Sequence, residues 1–215
     1  MVKKTRWQDE YWLPLMQTYL KKPVGKKATY SRDMVDLSME LHIAPPLLAI
    51  RMEQLARLET PRLERFWQTY ADNPRRLARA VRLWREMKGF GAAADFYEGV
   101  VVSETFERDF RPLEEEQQLT PVALILILNL YYQLIPQTMV AETPEVAELA
   151  KLLKVQPDMV VEVLTLYQLC DPYLNRSDVS LSQLLLPCSK IWQRFEKQSP
   201  EELASLAEEL KEYYR

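Results

Sequence analysis

Apolar positions recur along this chain with the 3.6-residue period of an amphipathic helix almost from end to end. Leu63, Phe66, Trp67 and Tyr70 share one helical face, as do Leu77, Val81 and Trp84. The pattern predicts helices over 8–21, 31–41, 45–58, 61–71, 74–87, 121–134, 144–154, 157–170, 180–197 and 200–213. Their starts are marked chemically. Thr60-Pro61, Asn73-Pro74, Thr120-Pro121, Thr143-Pro144 and Ser199-Pro200 each place an N-cap residue before a proline, and proline is tolerated at the first helical position because its missing N–H has no partner there. The run from Pro121 to Tyr132 is apolar at nearly every position. It falls short of the roughly 20 residues a membrane span needs and predicts a helix buried nearly all round. The expected fold class is all-α.

The pattern also repeats. Asp36-Leu37-Ser38-Met39-Glu40-Leu41-His42-Ile43-Ala44-Pro45 aligns without a gap on Glu148-Leu149-Ala150-Lys151-Leu152-Leu153-Lys154-Val155-Gln156-Pro157, at an offset of 112. Leu47, Leu48, Met52, Leu55 and Glu59 then meet Met159, Val160, Leu164, Tyr167 and Asp171. Upstream, Leu13, Leu15, Met16 and Tyr19 meet Ile125, Ile127, Leu128 and Tyr131. Downstream the offset becomes 126, so that Pro74, Leu77 and Trp84 meet Pro200, Leu203 and Leu210. Any two amphipathic helices align to some degree; paired prolines and a shared order of elements argue for an internal duplication. The predicted organisation is a helical repeat over 1–87, a Gly/aromatic connector with an acidic linker over 88–118, and a second helical repeat over 119–215. The connector holds Gly89, Gly91 and Gly99, a strand candidate Val100-Val101-Val102, and Phe90, Phe96, Tyr97, Phe106 and Phe110. Its aromatic density suits an arm docked on its own core or a loop that binds a partner. Its end, Glu114 to Gln118, reads as a solvated run.

Each repeat contains a tight helical hairpin. Copy one reads Leu37-Ser38, Leu41, His42-Ile43 and Leu48; copy two reads Leu149-Ala150, Leu153, Lys154-Val155 and Val160. This resembles the helix-turn-helix motif, which shows Leu-Ala on the first helix, Leu three residues on, Gly-Val in the turn and an apolar residue five positions later. The resemblance implies a small residue that lets the second helix cross close to the first, with apolar residues pinning both to a third. His42 and Lys154 replace the turn glycine, so any left-handed residue in the turn carries some strain, and His42 reads as a turn residue before it reads as a catalytic base. In DNA-binding members, polar residues near the start of the second helix meet base edges. Copy one offers Pro46, Ala49 and Ile50 there, with Arg51 and Arg57 beyond; copy two offers Asp158, Val161 and Glu162. Neither presents the Arg, Asn or Gln readers at those places, which points to structural reuse of the motif.

Charge divides the chain. Residues 1–112 hold 20 basic and 15 acidic side chains, a balance of +5; residues 113–215 hold 8 and 16, a balance of −8. The densest basic feature lies at 73–85, where Arg75, Arg79 and Arg82 form an i, i+4, i+7 stripe flanked by Arg76 and Arg85. With Lys21, Lys22, Lys26 and Lys27 this stripe forms a candidate phosphate-contacting surface. The matching helix of copy two inverts the charge: Arg75, Arg76 and Arg82 meet Glu201, Glu202 and Glu208. Three readings stand: facing helices of a pseudo-dimer, one anion-binding copy, or two independently solvated faces.

Composition removes most enzyme chemistry. The four glycines, against a usual share of about 7%, disfavour phosphate loops, and Lys88-Gly89-Phe90-Gly91-Ala92 lacks the strand and Lys-Ser/Thr of a phosphate cradle. One histidine, His42, disfavours a histidine metal site or a Ser-His-Asp triad. Cys170 and Cys188 are too few for a disulfide scaffold or a cysteine-rich zinc site, and Cys188 reads as a small core residue. The carboxylate pairs Asp33/Asp36 and Asp95/Glu98 sit one helical turn apart without an evident pocket. The start, Met1 to Glu10, has no apolar segment of a secretory signal. The expectations are therefore no catalytic site, no metal and no cofactor, a cytoplasmic location with reduced thiols, no membrane association, and a protein partner bound by a non-enzymatic helical scaffold. The alternative is a helix-turn-helix transcriptional regulator that binds nucleic acid through the basic helix of repeat one. Surface potential separates the two: a continuous basic face favours the regulator, and burial of the arginines against Glu201 and Glu208 favours the scaffold.

Overall fold

A computed structural model describes residues 7–88, 105–174 and 182–215. All regular structure among these residues is helical. The principal helices are α1 (Trp12–Leu20), α2 (Arg32–Leu41), α3 (Pro45–Arg57), α4 (Pro61–Tyr70), α5 (Pro74–Lys88), α6 (Thr105–Asp109), α7 (Pro121–Tyr131), α8 (Pro144–Leu153), α9 (Pro157–Cys170), α10 (Leu185–Phe195) and α11 (Pro200–Lys211). Short 3₁₀ turns occupy Asp9–Tyr11 and Pro136–Thr138. The chain folds as two compact units, 1–104 and 105–215. No helix among the described residues is long and apolar enough to cross a membrane. The connector's glycines, its Val100-Val101-Val102 strand candidate and Phe90, Phe96 and Tyr97 lie outside the described residues.

The expected start signals mostly act as caps. Thr60 Oγ1 accepts from the Leu63 amide at 3.3 Å, Thr120 Oγ1 from Ala123 at 3.1 Å, Asn73 Oδ1 from Arg76 at 3.1 Å and Ser199 Oγ from Glu202 at 3.2 Å. At Ser199 the Glu202 carboxylate returns the bond to the Ser199 amide, completing a capping box. Thr143 differs: its hydroxyl donates to the Thr138 carbonyl, so α8 starts without a side-chain cap. The helix expected from 180 begins at Leu185, because Ser182 Oγ accepts from the Leu184 amide and holds 182–184 in a turn.

In the first unit, α1 packs on α2, α3 and α5, and α2 packs on α3. The core joins Leu15 and Met16 of α1, Leu37 and Leu41 of α2, Leu48, Met52 and Leu55 of α3, and Leu77, Val81 and Trp84 of α5. Phe66, Trp67 and Tyr70 of α4 pack against it and stay partly exposed. In the second unit α7 takes the central place and packs on α8, α9, α10 and α11. Every residue of α7 from Val122 to Tyr131 is buried. The Tyr167 hydroxyl, fully buried, donates to the Leu124 carbonyl at 2.9 Å. Residues 105–118 belong to the second unit: α6 packs on α7, Arg194 reaches the Asp109 carboxylate at 2.8 Å, and the Phe110 and Tyr213 rings meet edge-on at 5.0 Å.

The hairpins α2–α3 and α8–α9 share their turn geometry. His42 sits at φ 56°, ψ 39° and Lys154 at φ 61°, ψ 38°, both left-handed. The Ile43 amide returns to the Ser38 carbonyl at 3.1 Å, and the Val155 amide to the Ala150 carbonyl at 3.0 Å. These bonds close the carbonyl ends of α2 and α8. Leu58 also adopts a left-handed conformation, at φ 49°, a position where the sequence carries no glycine signal.

Candidate functional site

The α2–α3 hairpin is built around Ser38. Its side chain is fully buried and its hydroxyl donates to the Ile43 carbonyl at 2.6 Å, so one small polar residue both permits the close helix crossing and ties the turn. Leu48, Met52 and Leu55 then face the core. That orientation leaves the other side of α3 in solvent. Leu47 is 57% exposed and Ile50 58% exposed, with Pro46 exposed beside them. Of the positions where a DNA-reading helix would offer polar groups, Pro46 and Ile50 are exposed, whereas Ala49 is half-buried against the core. Leu47, which aligns with Met159 in the sequence repeat, is a surface residue and not part of the core. Its placement was readable: Leu47 and Ile50 stand i, i+3 to each other and off the face of Leu48, Met52 and Leu55.

The arginines beyond them are engaged or peripheral. Arg51 lies 5.0 Å from the Trp7 ring and donates to Gln54 Oε1 at 2.8 Å. Arg57 pairs with Glu53 at 2.7 Å. In the second hairpin the exposed residues of α9 include Asp158 and Glu162, and Glu162 accepts from Ser182.

The lysine segment is largely committed to its own unit. Lys21 pairs with Asp33 at 2.7 Å and Lys26 with Glu53 at 2.7 Å. The Lys26 ammonium, with Arg57 beside it, holds the Glu53 carboxyl below its ordinary range. Lys27 donates through Nζ to the carbonyls of Lys21 and Pro23, closing the loop after α1. Lys22 is exposed and precedes a cis proline, Pro23.

The arginine stripe of α5 is different. Arg75, Arg76, Arg79 and Arg82 are all exposed. Arg82 pairs with Glu86 at 3.5 Å and Arg76 lies 5.5 Å from the Tyr70 ring. Arg75 and Arg79 form no ion pair among the described residues. Arg85 reaches α2, where it grips Glu40 with two bonds of 2.7 and 2.9 Å; this carboxylate raises the Arg85 pKa above its usual value. Helix ends locate the groups. Tyr11 meets Trp84 edge-on at 6.0 Å, which sets the start of α1 beside the end of α5. Lys21 and Asp33 join the end of α1 to the start of α2. Arg75 and Arg76 therefore lie toward the same end of the unit as the lysine loop. On α11, Glu201 and Glu202 are exposed and Glu208 pairs with Lys211 at 2.5 Å.

The thiols are poor nucleophiles. Cys188 is fully buried and burial pushes its thiol up to about 12; Cys170, half-buried, is raised as well. Little thiolate forms at neutral pH in either. His42 is exposed at its turn. No group of three or more His, Cys, Asp or Glu capable of holding a metal ion occurs among the described residues. No protein-family model matches this chain, and no curated protein or solved structure is significantly similar to it.

Proposed function

We propose that this protein is a non-enzymatic, cytoplasmic helical interaction protein built from two duplicated units, and that it engages a protein partner through the exposed face of α3. The observation that carries the reading is the apolar triplet Pro46, Leu47 and Ile50 on the second helix of the α2–α3 hairpin. A phosphate backbone gains nothing from such a face. A protein partner gains roughly 25 cal/mol for each Å² of apolar surface it covers. Duplication is supported by the matching left-handed turns at His42 and Lys154 and by the central role of α1 and α7 in their own units. It is supported further by burial at matched positions, where Leu48 and Val160, Met52 and Leu164, and Leu55 and Tyr167 are all buried.

The test is affinity capture with the full chain against Leu47→Glu/Ile50→Glu. A specific partner is expected with the wild type and lost with the variant, whose thermal unfolding stays within about 1 °C of wild type, because exposed positions change stability little. A partner retained undiminished by the variant contradicts the assignment of the α3 face. A second reading, nucleic-acid binding by the basic helix, draws support from Arg75 and Arg79, which project into solvent without an ion-pair partner among the described residues.

A further inference from the structure

Two helices that meet in the sequence repeat carry opposite charge on their solvent faces. On α5, Arg75, Arg76, Arg79 and Arg82 are exposed. Glu86 pairs with Arg82 at 3.5 Å, and Arg85 is neutralised by Glu40 of α2. Four arginines against one acid leave this face with a net charge of +3 among the described side chains. On α11, Glu201, Glu202, Glu208 and Glu209 are exposed, and Lys211 pairs with Glu208 at 2.5 Å. Glu212 just beyond the helix is matched by Arg215. Four acids against one lysine leave the α11 face at −3.

The α5 stripe stands against its own helix. Arg75 and Arg76 occupy the first turn, where the helix dipole favours acids and opposes cations, and that turn holds no acid. Arg75 and Arg79 form no ion pair among the described residues, and neither do Glu201 and Glu209 on α11. Such an arrangement gains from a counter-charge brought from outside. The two stripes also agree in length. Arg75 to Arg82 and Glu201 to Glu208 each span seven residues, about 10 Å along a helix axis. Leu83 and Met87, 44% and 65% exposed, add apolar surface toward the end of α5, and arginine and methionine are enriched where proteins meet.

We propose that the α5 face is a docking surface for α11 of a second copy of this chain. The occupant follows from charge: a face of opposite sign, equal net charge and equal stripe length is carried by the chain itself. The arginines of one copy meet the glutamates of the other, and the pair of Lys211 with Glu208 gives way to an arginine at that glutamate. Exposed ion pairs contribute little each, so the contact is weak, reversible and salt-dependent, and its charge pattern sets specificity more than affinity. Two copies that exchange both contacts close into a dimer, and copies that exchange one add in a row.

The experiment is sedimentation velocity of the full chain from about 5 to 500 μM. The weight-average mass should rise with concentration at 0.1 M salt, with a Kd below about 100 μM. It should weaken at least tenfold at 1 M, where the screening length falls from about 10 Å to about 3 Å. Arg75→Glu/Arg79→Glu/Arg82→Glu makes both helices acidic, and Glu201→Arg/Glu208→Arg/Glu209→Arg makes both basic. Each variant alone should stay monomeric. Mixed one to one they should associate again, because each then meets its opposite, and this rescue separates lost recognition from lost folding. A wild-type chain that is monomeric throughout overturns the proposal, as does association that 1 M salt leaves unchanged. Either variant self-associating like wild type, or a mixture that stays monomeric, overturns it too. Association lost in Leu47→Glu/Ile50→Glu and kept in the α5 variant assigns self-contact to α3 and refutes the role of α5.

Discussion

Ser38 concentrates the physics of the first hairpin in one hydroxyl. Ser38→Ala removes the donor to the Ile43 carbonyl, a 2.6 Å bond in a site with no solvent access. The steric requirement for a small residue is still met, so the loss isolates the bond. Its cost is the net worth of a buried hydrogen bond, about 0.5–1.5 kcal/mol, increased where the carbonyl finds no other donor, giving about 1–2 kcal/mol in all. Tryptophan fluorescence during urea unfolding reads this unit, because Trp7, Trp12, Trp67 and Trp84 lie in it and only Trp192 lies in the other. With a slope of about 1–3 kcal/mol per M, the midpoint should fall by about 0.5–1 M at constant slope. The second unit carries Ala150 at the matched position. Ala150→Ser supplies a donor beside Val155, and the unfolding reported by Trp192 should hold steady or shift up by at most about 1 kcal/mol. An unchanged or raised midpoint for Ser38→Ala refutes the account of how this turn is held.

Further outcomes follow from the same structure. Lys154→Gly should stabilise the second unit by about 0.5–1 kcal/mol: the left-handed turn costs a side chain about 1–2 kcal/mol, and glycine's greater unfolded entropy returns part of that. Thermal unfolding checks it. The Glu40–Arg85 pair should show a coupling of about 0.5–1 kcal/mol in a double-mutant cycle, small because Arg85 is half exposed. Raised thiol and phenol pKa values set an alkaline limit. Cys188 ordinarily loses its proton near 9 and is pushed to about 12 in the fold, and Tyr214 moves from 10 to about 12. The unfolded chain releases these protons first. Their contribution is therefore complete below pH 9 and is lost as pH rises toward 12. Cys188→Ala should flatten the first part of that decline in a series of urea midpoints between pH 8 and 11. At pH 8 Cys188 should also resist alkylation in the native protein and react fully in denaturant.

What the sequence revealed depended on how local its cause was. Helices announced by Thr60-Pro61 or Ser199-Pro200 were legible because cap and proline act within one turn. The left-handed turns at His42 and Lys154 were legible only through the resemblance to the helix-turn-helix motif, whose turn glycine these residues replace. Helix α6 and the turn at Pro136–Thr138 span five and three residues, too few for a 3.6-residue period to register. Leu58 occupies a left-handed position that no glycine marks. The candidate surfaces divide the same way. The arginine stripe on α5 was visible as spacing, whereas the pairing of Lys21 with Asp33 and Lys26 with Glu53 joins residues 12 and 27 positions apart.

The central claim is that this chain meets a protein through α3, not nucleic acid through α5. The most direct measurement is fluorescence anisotropy of labelled duplex DNA and of RNA with the purified full chain at 50 and 200 mM salt. The account predicts no saturable binding at 50 mM, since Lys21, Lys26 and Lys27 are spent on internal partners. Binding that weakens about a thousandfold between the two salt concentrations, as neutralisation of about six phosphates requires, and that disappears in Arg75→Glu/Arg79→Glu/Arg82→Glu, would contradict it.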